Sequence, residues 1–245
     1  MVGILVQLAI SWLLAWLFVK KGLEVLGLYP TRKRLVHFLL FFIVTALCCA
    51  SGFIMKMIYA QQEWIINPSL SFTFILEGIW WNIKSVLFEE LIFRGVILYI
   101  LIRRIGSTKA IIISAIVFGI YHWFSMNAFG NITQMIYLFI TTGMMGLLLA
   151  FAYAKTLSLY IPIAIHLGWN LTQNFIFSSG PIGDGFFIPI NNEPFRTESY
   201  FIFFLIVLFP IISTLLINFL LIKKLKTEHY APENEINQQI KQKPR

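Results

Sequence analysis

The chain has 245 residues, of which 58% are hydrophobic and 12% charged, with a formal net charge of +8. Soluble domains carry about 25% charged residues, so a soluble globular protein is excluded and one polytopic membrane domain remains. Cys48 and Cys49 are adjacent in one apolar run; they cannot staple the fold, and they read as small core residues.

In chain order, apolar runs of about 20 residues place spans at 2–19, 35–59, 84–102, 110–128, 133–154, 159–177 and 200–222. No basic segment precedes the first run and Lys20-Lys21 follow it, which argues against a cleaved signal peptide and for an N-terminus outside. The stretch 71–83 holds Glu77 and the pair Trp80-Trp81. Aromatic pairs favour the membrane boundary, so it is expected to be an interfacial helix; if it crosses, the spans number eight rather than seven. With the N-terminus outside, all but Lys56, Lys84, Arg94 and Arg196 of the 19 basic residues fall on the inner side, as the positive-inside rule requires. The positive charge is thus accounted for by anchoring, without a nucleic-acid partner.

The expected fold class is therefore all-α: a multi-pass bundle of seven or eight membrane helices, N-out and C-in, with a site between the central helices. Residues 1–70 form the N-terminal spans, 71–177 the core that carries the site, 178–199 an outer loop rich in Gly and Pro, and 200–222 the last span. Residues 223–245, rich in Glu, Asn, Gln, Lys and Pro, read as a disordered cytoplasmic tail.

Polar residues inside these spans carry the chemistry. Glu89 and Glu90 lie in the run Phe88-Glu89-Glu90-Leu91-Ile92-Phe93-Arg94-Gly95, and His122 and His166 lie in two later spans. An ionisable group within a membrane span is costly, so it points to function. At about 1.5 Å rise per residue, Glu89 lies ~21 Å from Arg103, His122 ~20 Å from Lys109, His166 ~17 Å from Lys155 and Asn170 ~22 Å from Lys155. Four polar groups on three spans thus fall in one layer.

Spacing assigns roles within it. Glu90 and Arg94 are i, i+4 and meet on one helix face, so Glu90 is expected to neutralise Arg94. Glu89 points about 100° away and keeps no partner on its own helix, which leaves it free to act as a general base, with His122 sharing a water. His166 and Asn170, again i, i+4, place an imidazole and an amide on one face as hydrogen-bond donors to an oxyanion. A base, a water and oxyanion donors suit hydrolysis of an acyl bond. Ser85 and Ser114 lack a nucleophile-elbow context. His37 at a membrane edge and His229 in the tail read as bland, and the Asn170 sequon lies inside a span, where glycosylation is not expected.

At these residues the chain resembles the CAAX-protease and bacteriocin-processing family, also called the Abi family. Glu89-Glu90-x-x-x-Arg94, Phe118-x-x-x-His122 and His166-x-x-x-Asn170 match its three motifs in order, and the motifs cover about residues 84 to 175. The resemblance implies an intramembrane endopeptidase in which Glu89 and His122 activate the attacking water while His166 and Asn170 form the oxyanion site. Glu90, Arg94 and Phe118 are supporting residues. No cofactor is required by this reading. Family members have also been called metalloproteases, and a zinc would take Glu89, His122 and His166 as ligands with an open fourth position; metal-free, glutamate-activated water is the preferred alternative. The expected partners are a hydrophobic or lipidated peptide or protein substrate and membrane lipid, and the expected setting is a bacterial cell membrane, with peptide maturation or bacteriocin immunity the favoured context. A non-catalytic immunity or scaffold protein of the same fold is the competing reading. A proton-coupled transporter ranks last, because the paired repeats and broken helices such proteins show are not seen in the sequence.

Overall fold

The computed structural model describes residues 2–180, 183–190, 195–197 and 199–227. Among them, eight α-helices follow one another: α1 (Val2–Val19), α2 (Arg32–Tyr59), α3 (Phe72–Phe93), α4 (Val96–Ile105), α5 (Ser107–Ser125), α6 (Ile132–Thr156), α7 (Tyr160–Leu171) and α8 (Tyr200–Lys224). A 3-10 turn, Leu23–Leu26, links α1 to α2, and a π-turn, Thr172–Ile176, extends α7. Where no water lies beside the backbone, its N–H and C=O groups must be satisfied internally, and helix does this within one segment. Thr31, Ser71, Asn131 and Ser199 begin α2, α3, α6 and α8, each side-chain oxygen accepting the amide three residues on, which satisfies one of the donors a helix start leaves open.

Five helices, α1, α2, α5, α6 and α8, are long and apolar enough to cross a membrane by length and composition. They coincide to within a turn with the predicted spans 2–19, 35–59, 110–128, 133–154 and 200–222. The predicted span 84–102 is different. Its first half belongs to α3, which starts at Phe72 and absorbs the stretch expected to be a separate interfacial helix. The helix stops at Phe93, Arg94 and Gly95 break the chain, and α4 resumes at Val96. Gly95 has φ −78 and ψ −145, and a Cβ there would run into the Leu91 carbonyl oxygen. Only glycine fits this turn.

Contacts at the turns fix which ends lie together. Leu159 N–H donates to Leu26 O at 3.0 Å, the Tyr153 hydroxyl to Val25 O at 2.6 Å and the Ser158 hydroxyl to Gly27 O at 2.8 Å. Lys155 Nζ donates to the carbonyl of Lys223 at 3.3 Å. One buried cluster holds Leu26, Ile102, Ala110 and Leu159, which brings the α4–α5 turn to the same place. The basic residues of four separate turns thus sit at one end of the bundle.

The opposite end carries a correction to the all-α expectation. Strand β1 (Trp64–Ile66) pairs antiparallel with β4 (Phe187–Pro189), and β2 (Ser179–Gly180) pairs with β3 (Gly183–Asp184). The segment expected as an outer loop at 178–199 is therefore, in its described part, a cap hydrogen-bonded to the α2–α3 connection. The rings of Phe53, Trp64, Phe177 and Phe187 pack with centroids 4.7 to 5.6 Å apart, and buried Asn67 donates to Gly185 O at 2.9 Å. Of the expected tail 223–245, Lys223 and Lys224 complete α8, and residues 228–245 lie outside the described residues.

α7 sits inside the bundle. Ile161, Pro162, Ala164, Ile165, His166, Leu167 and Gly168 are all buried. A Cβ on Gly168 would lie 2.6 Å from the Phe42 carbonyl of α2, so glycine here sets how closely α2 and α7 approach.

Candidate active site

The site begins with the inward face of α3. Asn82, Val86, Glu90 and Phe93 are buried and recur at helical spacing, so α3 turns this stripe toward the other helices. Glu90 lies within the stripe at 0% exposure; Glu89 lies at its edge with its side chain 12% exposed.

Arg94 follows the last turn of α3 and is fully buried. Its Nη1 donates to Glu90 Oε1 at 3.1 Å and its Nη2 reaches the Gly146 carbonyl of α6 at 3.5 Å. The guanidinium lies 4.0 Å over the Phe118 ring and 5.7 Å from that of Phe93, a cation–π arrangement that favours a desolvated arginine. The Ser114 hydroxyl donates to Phe93 O at 2.9 Å and so satisfies a carbonyl that the end of α3 leaves open. The ion pair expected from the i, i+4 spacing is present.

Glu90 has a second partner that spacing did not reveal. The same Oε1 lies 2.7 Å from His166 Nδ1. That oxygen already accepts from Arg94 Nη1, so in the shared contact it accepts again and Nδ1 carries the hydrogen. The other ring nitrogen, Nε2, then faces Glu89 Oε2 at 3.7 Å. His166 is thus held between the two glutamates, and Glu89, without a partner on α3, faces one on α7. Glu89 Oε2, Glu90 Oε2 and Arg94 Nε make no hydrogen bond to any described residue.

His122 stands near the end of α5, with Nδ1 2.9 Å from Phe118 O. A carbonyl only accepts, so Nδ1 carries the hydrogen and Nε2 presents a lone pair. Phe118 joins the set: its ring meets that of His122 at 4.5 Å edge-on and stands perpendicular to that of His166 at 6.0 Å. Asn170, half-buried, lies one turn beyond His166 on α7. The structure therefore joins Glu89, Glu90, Arg94, Phe118, His122 and His166 in one cluster, with Asn170 on the same face of α7 as His166. The Gly146 carbonyl as a partner of Arg94 carries no signal in the sequence, and Ser114, set aside as a nucleophile, closes the end of α3 instead.

Each histidine donates through Nδ1 and leaves Nε2 free, as metal-ligating histidines also do. Yet among the described residues no three His, Cys, Asp or Glu side chains are gathered as a ligand set: Glu89 and His166 approach each other, and His122 does not complete a triad with them. A zinc on Glu89, His122 and His166 does not fit this arrangement, and no step below is routed through one.

Apolar membrane-length helices around a buried carboxylate, guanidinium and imidazole cluster define an integral membrane protein with a polar centre. Residues 69–172 match the family model described as type II CAAX prenyl endopeptidase Rce1-like. Over those residues the chain is similar to that protease family, in agreement with the motif resemblance, and the match encloses every residue of the candidate site. No curated protein and no solved structure gave a match.

Proposed function

We propose that the protein is an intramembrane endopeptidase that hydrolyses a peptide bond in a hydrophobic or lipidated peptide or protein, using water activated by Glu89 and His122. The observation that carries this reading is the division of labour between the two glutamates. Glu90 is committed to Arg94 and His166 at 3.1 and 2.7 Å, whereas among the described residues Glu89 has one ion-pair contact, the longer one to His166 at 3.7 Å. Glu89 is thus the carboxylate left to take a proton.

In this mechanism Glu89 accepts a proton from water while His122 Nε2 accepts that water's second hydrogen bond and orients it. The water oxygen bonds to the scissile carbonyl carbon, and the electron pair moves to the carbonyl oxygen. Asn170 donates to that oxygen through its amide N–H. His166 already gives Nδ1–H to Glu90, so it donates to the oxyanion only through a protonated Nε2. When the C–N bond breaks, the departing amine takes the proton held by Glu89. No cofactor enters these steps.

The proposed membrane map has seven passes, N-out and C-in: the five long apolar helices, the broken pair α3–α4, and α7 with its π-turn. The two passes that are not long and apolar carry Glu89, Glu90, Arg94, His166 and Asn170 between them. A bacterial cell membrane is the proposed setting, and peptide maturation or bacteriocin immunity the proposed context.

The test compares released peptide termini, by mass spectrometry, from host cells carrying the wild type or Glu89→Gln at matched abundance. Glutamine keeps the shape of the side chain and removes the base, so termini made by the wild type are expected to fall by about 10²- to 10⁴-fold. Identical termini in both strains, with any host phenotype rescued equally by the variant, would favour a non-catalytic membrane protein of the same fold.

A further inference from the structure

Tyr121 stands immediately before His122 on α5 and takes no part in the hydrolysis described so far. Its ring centroid lies 5.1 Å from that of Phe93 and 5.4 Å from that of His122. Phe93 is i, i+4 from Glu89, the spacing at which helix side chains meet, so a ring packed on Phe93 from α5 lies beside the Glu89 edge of α3. The electrostatics agree: Glu89 is the charged group that acts on the Tyr121 hydroxyl. Tyr121 also shares the layer of the site, at ~18 Å along α5 from Lys109.

Packing does not account for the hydroxyl. A phenylalanine would fill the same space against Phe93 and His122. The hydroxyls of Tyr153 and Tyr160 donate to Val25 O and Leu28 O at 2.6 and 3.3 Å, whereas that of Tyr121 shares a hydrogen bond with no described residue. A tyrosine hydroxyl among apolar helices ordinarily has a partner. Tyr121 is half-buried, while Glu90, His122 and His166 are buried, so its partner can arrive from outside the chain. The hydrolysis, for its part, is short of a donor. Asn170 gives its amide N–H to the oxyanion, but His166 can do so only with a proton on Nε2, because Nδ1–H is given to Glu90 Oε1. A neutral phenol carries its own hydrogen, and tyrosine is among the side chains that build oxyanion sites.

We infer that Tyr121 is a further catalytic residue, its hydroxyl donating a hydrogen bond from α5 to the oxyanion that Asn170 approaches from α7. This rests on the endopeptidase reading. The phenol keeps its proton throughout, so the proton still passes from water through Glu89 to the departing amine.

The experiment uses the purified full-length protein and a synthetic peptide spanning a cut site found by the comparison of released termini. It is run for the wild type, Tyr121→Phe, Tyr137→Phe and Glu89→Gln. Phenylalanine keeps the ring on Phe93 and removes the donor. Loss of one oxyanion donor lowers kcat roughly 10²- to 10³-fold, so Tyr121→Phe is expected to lose that factor with KM and melting temperature as in the wild type. Tyr137 is an exposed tyrosine of α6, and its variant should turn over as the wild type does. A peptide aldehyde of the same sequence, whose hydrate carries a tetrahedral centre, separates a donor to the oxyanion from a packing residue. Tyr121→Phe should weaken inhibition by the aldehyde about tenfold or more and leave inhibition by the cleaved product peptide unchanged. The ratio of the two constants does not depend on how much of the variant folds. A rise in KM alone, equal weakening of aldehyde and product, or an unchanged kcat beside an inactive Glu89→Gln would each overturn the role of Tyr121 and leave the endopeptidase reading standing. Cleavage by Glu89→Gln at the wild-type rate would remove that reading and this inference with it.

Discussion

Glu90 Oε1 holds one donor from the end of α3 and another from α7, so its removal has two separable consequences. Glu90→Leu strands a fully buried guanidinium, and breaking a buried pair by removing one partner costs about 3–5 kcal/mol. The single variant is therefore expected to be scarce in the membrane. Removing both charges is a different matter, because a buried pair replaced by apolar residues of similar volume is often neutral in stability. The double variant Glu90→Leu with Arg94→Leu should thus recover abundance and melting temperature. Its turnover should stay lost, because His166 Nδ1 has no acceptor and the ring loses the constraint that aims Nε2 at Glu89. Thermal melting and peptide release on the same preparations check both halves; a double variant with wild-type turnover would remove Glu90 from any part in positioning His166. The sequence showed the Glu90–Arg94 half of this arrangement, since both residues are on one helix and the spacing fixes their approach. It could not show the Glu90–His166 half. No helical period connects residues 76 positions apart, and only the packing of α7 on α3 brings them together.

The break between α3 and α4 is the element on which the guanidinium depends. Arg94 lies where the helical path ends, and Gly95 turns the chain so that α4 can resume while Arg94 reaches Gly146 and Phe118. Gly95→Ala drives a methyl group into the Leu91 carbonyl, and such overpacking costs about 1–3 kcal/mol. Relief requires the α3 end to move, which carries Arg94 off Glu90. The expected outcome is a lower melting temperature together with a loss of turnover larger than the stability change alone explains. Gly106→Ala is the comparison, since nothing lies within 4 Å of a Cβ there although φ is +83; it should cost some stability and leave turnover of the folded protein unchanged. If both variants lose turnover in proportion to stability, the turn at Gly95 has no special bearing on the site. This break was not legible as a boundary because apolar patterning responds to lipid and core contact, which continues across it. The strands were hidden for a related reason: β1 and β4 are three residues each and pair across more than 120 positions, so neither has a pattern of its own.

At the scale of the whole molecule, charge and architecture agree. The α1–α2, α4–α5 and α6–α7 turns and the end of α8 are far apart in sequence, each carries lysine or arginine, and the structure gathers them at one end. The proposed map, by the positive-inside rule, puts that end in the cytoplasm and the capped end, with β1 and β4, outside. The gathering of basic turns was legible because it rests on residue type and position alone; the orientation proposed from it has a direct check. Glu63 and Ser125 are exposed near the capped end, and Thr108 and Thr227 are exposed at the basic end, while the native Cys48 and Cys49 are buried. Single cysteines placed at 63 and 125 should react with a membrane-impermeant maleimide in intact cells. Those at 108 and 227 should react only after permeabilisation. Ser125 and Thr108 lie at opposite ends of α5, so one helix crossing the membrane must separate them whichever way the molecule is inserted. Reversed labelling of all four sites would turn the molecule over and put the cap in the cytoplasm. Labelling of 125 and 108 from the same side would be more damaging, because α5 would then not cross and His122 would lose the depth it shares with Glu89 and His166.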